Sequence, residues 1–222
     1  MAVNTYRSTV PTSGEGASPN ALATRRAEQV FIPAFAQWGL EGRLLVANRG
    51  TMTTPIVSGH VAIDEDQPEF VVRVPTGTTI LPLYLETVIE TILTASVVQE
   101  IMYACAGNDI GNGTSTNVVP INLATSGGKA TNCVVQREYT ANSTAPTSTR
   151  EFARWGMTTG ATAGDNNAGG VRNFPWAAGE MGFAPVLVGP ASLMLYAASA
   201  TTSITCFMTV VWAEFLSSEL GY

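Results

Sequence analysis

The chain has 222 residues, 45% of them hydrophobic and only 13% charged, with a formal net charge of −6. That length and apolar share suffice for one large domain with a proper core. A single lysine, Lys129, against ten arginines excludes the basic patch of a general nucleic-acid binder, and no apolar run reaches the roughly 18 residues of a membrane-spanning helix.

The charged share is about half that of an ordinary soluble domain. Ala, Thr, Ser, Gly and Val fill the space, so the surface is mostly neutral and small, as in proteins whose surface is taken up by neighbours in an assembly. The three cysteines, Cys105, Cys133 and Cys206, are far apart and lie in apolar or β-branched runs. That pattern predicts buried free thiols rather than a disulfide framework or a zinc site.

Residues 1–28 read as an N-terminal arm, rich in Ser, Thr, Gly and Pro through Arg25-Arg26. It is either a flexible tail or an arm ordered on a neighbouring subunit. Its charge is too small for the polybasic arm of a genome-packaging coat protein. Its first residues, MAVNTYRSTVPTSGEG, lack the apolar core of a signal peptide, so export by that route is not expected.

From Gln29 to Val46, Pro33 and two glycines break up apolar and aromatic residues, which predicts an extended segment that enters a strand at Arg43. Strands are then predicted at Pro55–Ile63 and at Glu69–Val74, where Phe70, Val72 and Val74 alternate with Glu69, Val71 and Arg73. Thr78–Ile92 carries a helical stripe at Leu85, Ile89 and Ile92, but its β-branched content and Pro82 favour a strand. Further strands are predicted at Ser96–Ala106, Asn117–Leu123 and Thr131–Tyr139, the last two joined by a hairpin turn at Thr125–Gly128. Residues 140–182 read as a long loop insertion, too long to be idle. Its aromatics, among them Trp155, Phe174 and Trp176, are expected to pin it to the body or to a partner.

The last forty residues organise the chain: Pro185–Val188, Ser192–Ser199 and Ile204–Phe215 are apolar runs split by turn chemistry. In Ile204–Phe215 the even face carries Ile204, Cys206, Met208, Val210 and Trp212, and the odd face Phe207, Val211 and Phe215. Ser192–Ser199 repeats this with Met194 and Tyr196 against Leu193 and Leu195. A strand apolar on both faces is covered on both: by the second sheet on one side and, on this reading, by another copy of the chain on the other. Tyr196, Phe207, Val211, Trp212 and Phe215 are therefore the subunit-interface candidates. Many short strands at this spacing predict an all-β fold, a two-sheet jelly-roll sandwich over residues 29–222.

Candidate chemistry is sparse. His60 is the only histidine and has no nucleophile elbow to serve. Asp64, Glu65, Asp66 and Glu69 could gather calcium, but a solvated turn explains them. Glu86 and Glu90 share one strand face, as a glycosidase pair would, and so would two solvent-facing acids. The glycine-rich stretches 107–113 and 160–170 lack the lysine of a phosphate loop. The acceptor patterns at Asn112 and Asn142 are chance matches without export. No catalytic residue, metal or cofactor is assigned.

The strand entry "VPTGTTILPL" (Val74–Leu83), the "VGPASLMLYAAS" strand (Val188–Ser199) and the "VVWAEF" end (Val210–Phe215) resemble single jelly-roll structural proteins of tailed bacteriophage capsids, of the decoration or cement type. The segments that carry the resemblance, Val72–Thr91 and Pro185–Phe215, cover about a quarter of the chain. The resemblance implies a non-enzymatic virion component, assembled in the host cytoplasm, without a cofactor. It also implies a homo-oligomer, commonly a trimer, seated on the major capsid protein of the same particle. The other readings are a single jelly-roll major capsid protein, a receptor- or glycan-binding fibre head built on Trp155 and Trp176, and a carbohydrate-active enzyme using Glu86 and Glu90.

Overall fold

The computed structural model describes residues 34–58, 60–90, 97–111, 113–138, 144–159, 173–200 and 204–221. The N-terminal arm, the 160–170 glycine stretch, Asn112 and Asn142 lie outside them. The strands are β1 (Leu44–Arg49), β2 (Ile56–Ser58), β3 (Phe70–Val74), β4 (Thr78–Ile89), β5 (Val97–Ala106), β6 (Thr116–Val118) and β7 (Ile121–Asn122). They continue with β8 (Val134–Arg137), β9 (Arg150–Thr159), β10 (Asn173–Ala177), β11 (Leu187–Val188), β12 (Ala191–Ser199) and β13 (Ile204–Leu216).

One sheet runs β10-β4-β13-β1-β7, with β11 and β2 paired to β4 and β13; the other runs β6-β8-β3-β12-β5-β9. The principal strands pair from the outside of the chain inward: β1 with β13, β3 with β12, β4 with β10 and β5 with β9, all antiparallel. Such nested pairing is one long hairpin rolled over itself, and β4·β13 and β5·β12 close the roll into two sheets. This is a jelly roll, and the all-β expectation holds. Leu45, Phe70, Leu85, Tyr103, Leu193, Met208 and Trp212 are among the side chains that fill the space between the sheets.

The two strands hardest to read in the sequence each contain a bulge. In β4 the register to β13 jumps from Val211↔Tyr84 to Trp212↔Pro82, leaving Leu83 extra. The inward set therefore switches from Ile80 and Pro82 to Leu85, Thr87 and Ile89, and Leu85 and Ile89, four residues apart, share a strand face just as they would share a helix face. In β9, Tyr103↔Ala153 is followed by Ala104↔Glu151, leaving Phe152 extra. Phe152 and Trp155, three residues apart, both pack against the core.

That arrangement corrects the expected 140–182 insertion. Residues 150–159 and 173–177 are the principal strands β9 and β10, and Ala178–Met181 is a short helix, α2. Pro175 is tolerated because β10 is an edge strand bonded only to β4. The Thr125–Gly128 hairpin is corrected in part: β6 and β8 do pair antiparallel, but Ile121–Asn122 between them joins β1 in the first sheet as β7.

The extended reading of Gln29–Val46 is corrected in part: Ala34–Leu40 is a seven-residue helix, α1. It ends in a Schellman motif, with Arg43 N–H donating to Trp38 O and Gly42 N–H to Gly39 O at a Gly42 φ of 66°.

Candidate functional site

The two sheets differ in how their outer faces are covered. On the second sheet, Val71, Met102, Ala104, Met194 and Tyr196 form an outward apolar layer sheathed by Ile110 and Ile63 from the chain's own loops. The Tyr196 hydroxyl donates to Glu65 O at 2.9 Å, and burial drives its pKa well above the ordinary range. Asp109 fastens the covering loop through a two-pronged pair with Arg73, at 2.6 and 2.7 Å. All nine residues of β12 are buried, Leu193, Leu195 and Ala197 in the core between the sheets and Met194 and Tyr196 under this cover. The neighbour expected over β12 is therefore corrected: the chain covers that strand itself, and Tyr196, 1% exposed, has no surface left to offer.

Among the described residues, the outer face of the first sheet is covered only at one end. There the Trp38 ring of α1 meets Phe215 edge-on at 5.4 Å, and the Arg43 guanidinium lies over the same ring at 5.0 Å. Phe215 faces outward as expected but is capped by its own helix. Trp212 points inward with no exposure, its indole N–H 3.3 Å from Glu214 Oε2. As interface candidates, Phe215 and Trp212 are corrected for these reasons.

The described residues leave the rest of that face open. Register places Ile121, Val46, Val211, Tyr84 and Ala177 in one row across five strands. The next row is Asn48, Thr209, Glu86 and Pro175, and the one after it is Phe207, Val88 and Asn173. Phe207 and Val211 are half-buried, and Ile121 is 62% exposed. The Thr209 hydroxyl donates to Asn48 Oδ1, and Tyr84 and Glu86 bond to one another. Burial and that carboxylate push the Tyr84 phenol up to about 12. At the β1 edge of this face, Met52, Val118, Val119 and Phe207 line a groove of about 560 Å³. Two of the five interface candidates, Phe207 and Val211, thus lie together on the one broad face the described residues leave uncovered.

The aromatics expected to make loop contacts pack against the core. Trp155 stacks edge-on to Tyr103 at 5.1 Å, and Trp176 to Phe152 at 5.2 Å. Phe174 is buried beside them, with its carbonyl 2.7 Å from the Tyr103 hydroxyl. They pin β9 and β10 to the body: Trp176 is fully buried, and Trp155 is half-buried against the core.

The acidic candidates serve the fold or face solvent. Asp64 accepts from Asp66 N–H and Gln67 Nε2 and so closes its turn. Glu86 lies half-buried on the outer face of β4, and Glu90 lies just beyond the strand. His60 stands outside β2, 3.6 Å from the buried Glu69. All three cysteines are free and buried.

Sequence reasoning missed two buried polar clusters. In the first, Arg49 donates to Glu69 at 2.7 Å, to Ile56 O and Val57 O, and to Cys206 Sγ, while Ser58 Oγ lies 2.6 Å from Glu69. Its signal was parity, since Arg49 shares the inward face of Leu45 and Ala47. In the second, Glu214 accepts from the Thr131 hydroxyl, Asn132 N–H and Trp212, tying the loop before β8 to the first sheet.

Comparison with protein-family models, with curated proteins and with solved structures finds no match to this chain.

Proposed function

We propose that this protein is a non-enzymatic structural component of a viral particle: a capsid decoration or cement protein of the tailed-bacteriophage type. It would oligomerise, in the favoured case as a trimer, and seat on the major capsid protein of the same virion. The observation that carries the reading is the open outer face of the first sheet. Its row Ile121-Val46-Val211-Tyr84, with Phe207 beyond, stays half-exposed while the other sheet is sheathed by the chain's own loops.

Contiguous apolar surface of this kind, with few charges, marks a protein contact. The jelly-roll architecture, the low charge content and the likeness of the β3–β4 and β12–β13 segments to cement proteins support the same reading, the fold by analogy alone. The mechanism is mechanical: many copies bury side chains across their joints, each well-packed one contributing about 1–3 kcal/mol. In cells producing the particle, the protein is expected to co-sediment with capsids and a Phe207→Asp variant to stay in the soluble fraction. Wild-type protein that never travels with particles would overturn the proposal.

A further inference from the structure

The open face of the first sheet carries charge of one sign. Glu86 lies on it, half-buried and bonded to Tyr84, and Glu90, whose N–H donates to Thr205 O, continues the same parity just beyond β4. Glu180 of α2 is close enough to act on the same Tyr84 phenol. Among the described residues, none of these carboxylates forms an ion pair. The described cations stand elsewhere: Arg49 turns inward to Glu69, Arg43 is held over Phe215 at the covered end, and the rest belong to the second sheet or to the loop before β8.

This limits how the face can meet another copy. If it packs on its own counterpart, the contact is two-fold symmetric. Helix α1 stands on the face at the Phe215 end, and a helix is about as thick, roughly 10 Å, as the gap between packed sheets. A two-fold axis along the strands sets α1 against its own copy in that gap and holds the sheets apart. An axis across the strands clears α1 but lays β4 over β4, which gathers the Glu86 and Glu90 carboxylates of both copies in one seam. Neither arrangement brings a cation to them.

We infer that the open face meets a different, cation-bearing surface of the next copy, in a head-to-tail joint that repeats around a closed ring. The chain has cations to offer: Lys129, whose N–H donates to Gly42 O at the α1–β1 junction, and Arg150 at the start of β9 are both exposed and lie off the open face. Among the described residues neither forms an ion pair. Val46, Val211 and Phe207 supply the apolar part of the joint, and the carboxylates along β4 set its register and exclude the face-to-face alternative. The inference rests on the self-association proposed above and adds its polarity.

The test is sedimentation equilibrium of the full chain carrying Glu86→Gln and Glu90→Gln together, beside wild type, in about 0.05 and about 0.5 M NaCl. The two arrangements differ in sign. A head-to-tail joint that pairs these carboxylates with cations is expected to weaken about tenfold in the double variant at low salt, and the variant to lose most of the salt dependence that wild type shows. A face-to-face pairing instead tightens when its crowded carboxylates are neutralised. The urea midpoint of the double variant, read alongside, is expected to stay at the wild-type value. An oligomer of unchanged or greater stability in the double variant would overturn the inference and leave assembly standing. A wild type that stays monomeric would remove the assembly itself, and the inference with it.

Discussion

The Arg49 guanidinium meets the Glu69 carboxylate at 2.7 Å inside the sandwich, and neither side chain exposes more than 3% of its surface. Arg49 ends β1 in the first sheet, and Glu69 immediately precedes β3 in the second, so the pair ties the sheets together. Ser58 Oγ lies within hydrogen-bond reach of both Glu69 Oε1 and Ala197 O, yet has one proton to give. If it donates to Ala197, it receives the proton of a neutral Glu69.

Burial raises the Glu69 pKa above its ordinary value of 4.5, against the pull of Arg49, Ser58 and His60. A carboxyl raised in the folded state binds its proton more tightly there than in the unfolded chain. Its contribution is thus complete below about 4.5 and is lost as pH rises through the folded value. Urea midpoints measured from pH 4 to 8 should fall more steeply for wild type than for Glu69→Gln, which mimics the neutral form. Parallel profiles would contradict this. Glu69→Ala, which leaves Arg49 and Ser58 without their partner, should cost about 3–5 kcal/mol.

Asp109 behaves with the opposite sign. Its hydrogen bonds to Arg73, chiefly, hold its carboxyl below the usual range. The stability it contributes is present above the ordinary value of 3.8 and is lost as pH falls through the lower, folded one. Asp109→Asn should flatten the acid limb of the stability profile below pH 4 and speed amide exchange at Ile110. A profile that still falls as steeply as wild type would show that the pair does not hold the loop.

Gly42 sits at φ 66°, and a Cβ there would stand 3.0 Å from the Gly128 backbone. Gly42→Ala should destabilise by about 1–2 kcal/mol from the left-handed conformation alone, read as a lower urea midpoint with an unchanged slope. A neutral substitution would show that the α1–β1 junction re-forms freely.

These tests also mark what the sequence could carry. Alternation in β3, β12 and β13 was readable because those strands keep one parity throughout; β10 keeps it too, at Phe174 and Trp176, yet was read as part of the 140–182 loop. Parity broke at Leu83 and Phe152, where a bulge turns the next side chain to the other face, and β9 vanished into an apparent loop. In β12 the two-sided apolar pattern does mean two-sided cover, but sequence does not say whose atoms provide it. Ile63 and Ile110 cover Tyr196, α1 covers Phe215, and only Phe207 and Val211 remain outside.

Neighbours on one strand should therefore separate cleanly. Trp212 fills the core and Val211 faces out. Trp212→Ala should cost about 3–5 kcal/mol of folding stability, whereas Val211→Ser should stay within about 1 kcal/mol. Equal losses in urea unfolding would mean that Val211 is packed inside its own subunit.

The most direct measurement is the mass of the purified protein at micromolar concentration by sedimentation equilibrium, wild type beside Val211→Asp. Wild type is predicted to run as a closed oligomer and Val211→Asp as a folded monomer of 23.3 kDa. A wild-type monomer at that concentration, or a Val211→Asp oligomer as stable as wild type, would contradict assembly through the open face of the first sheet.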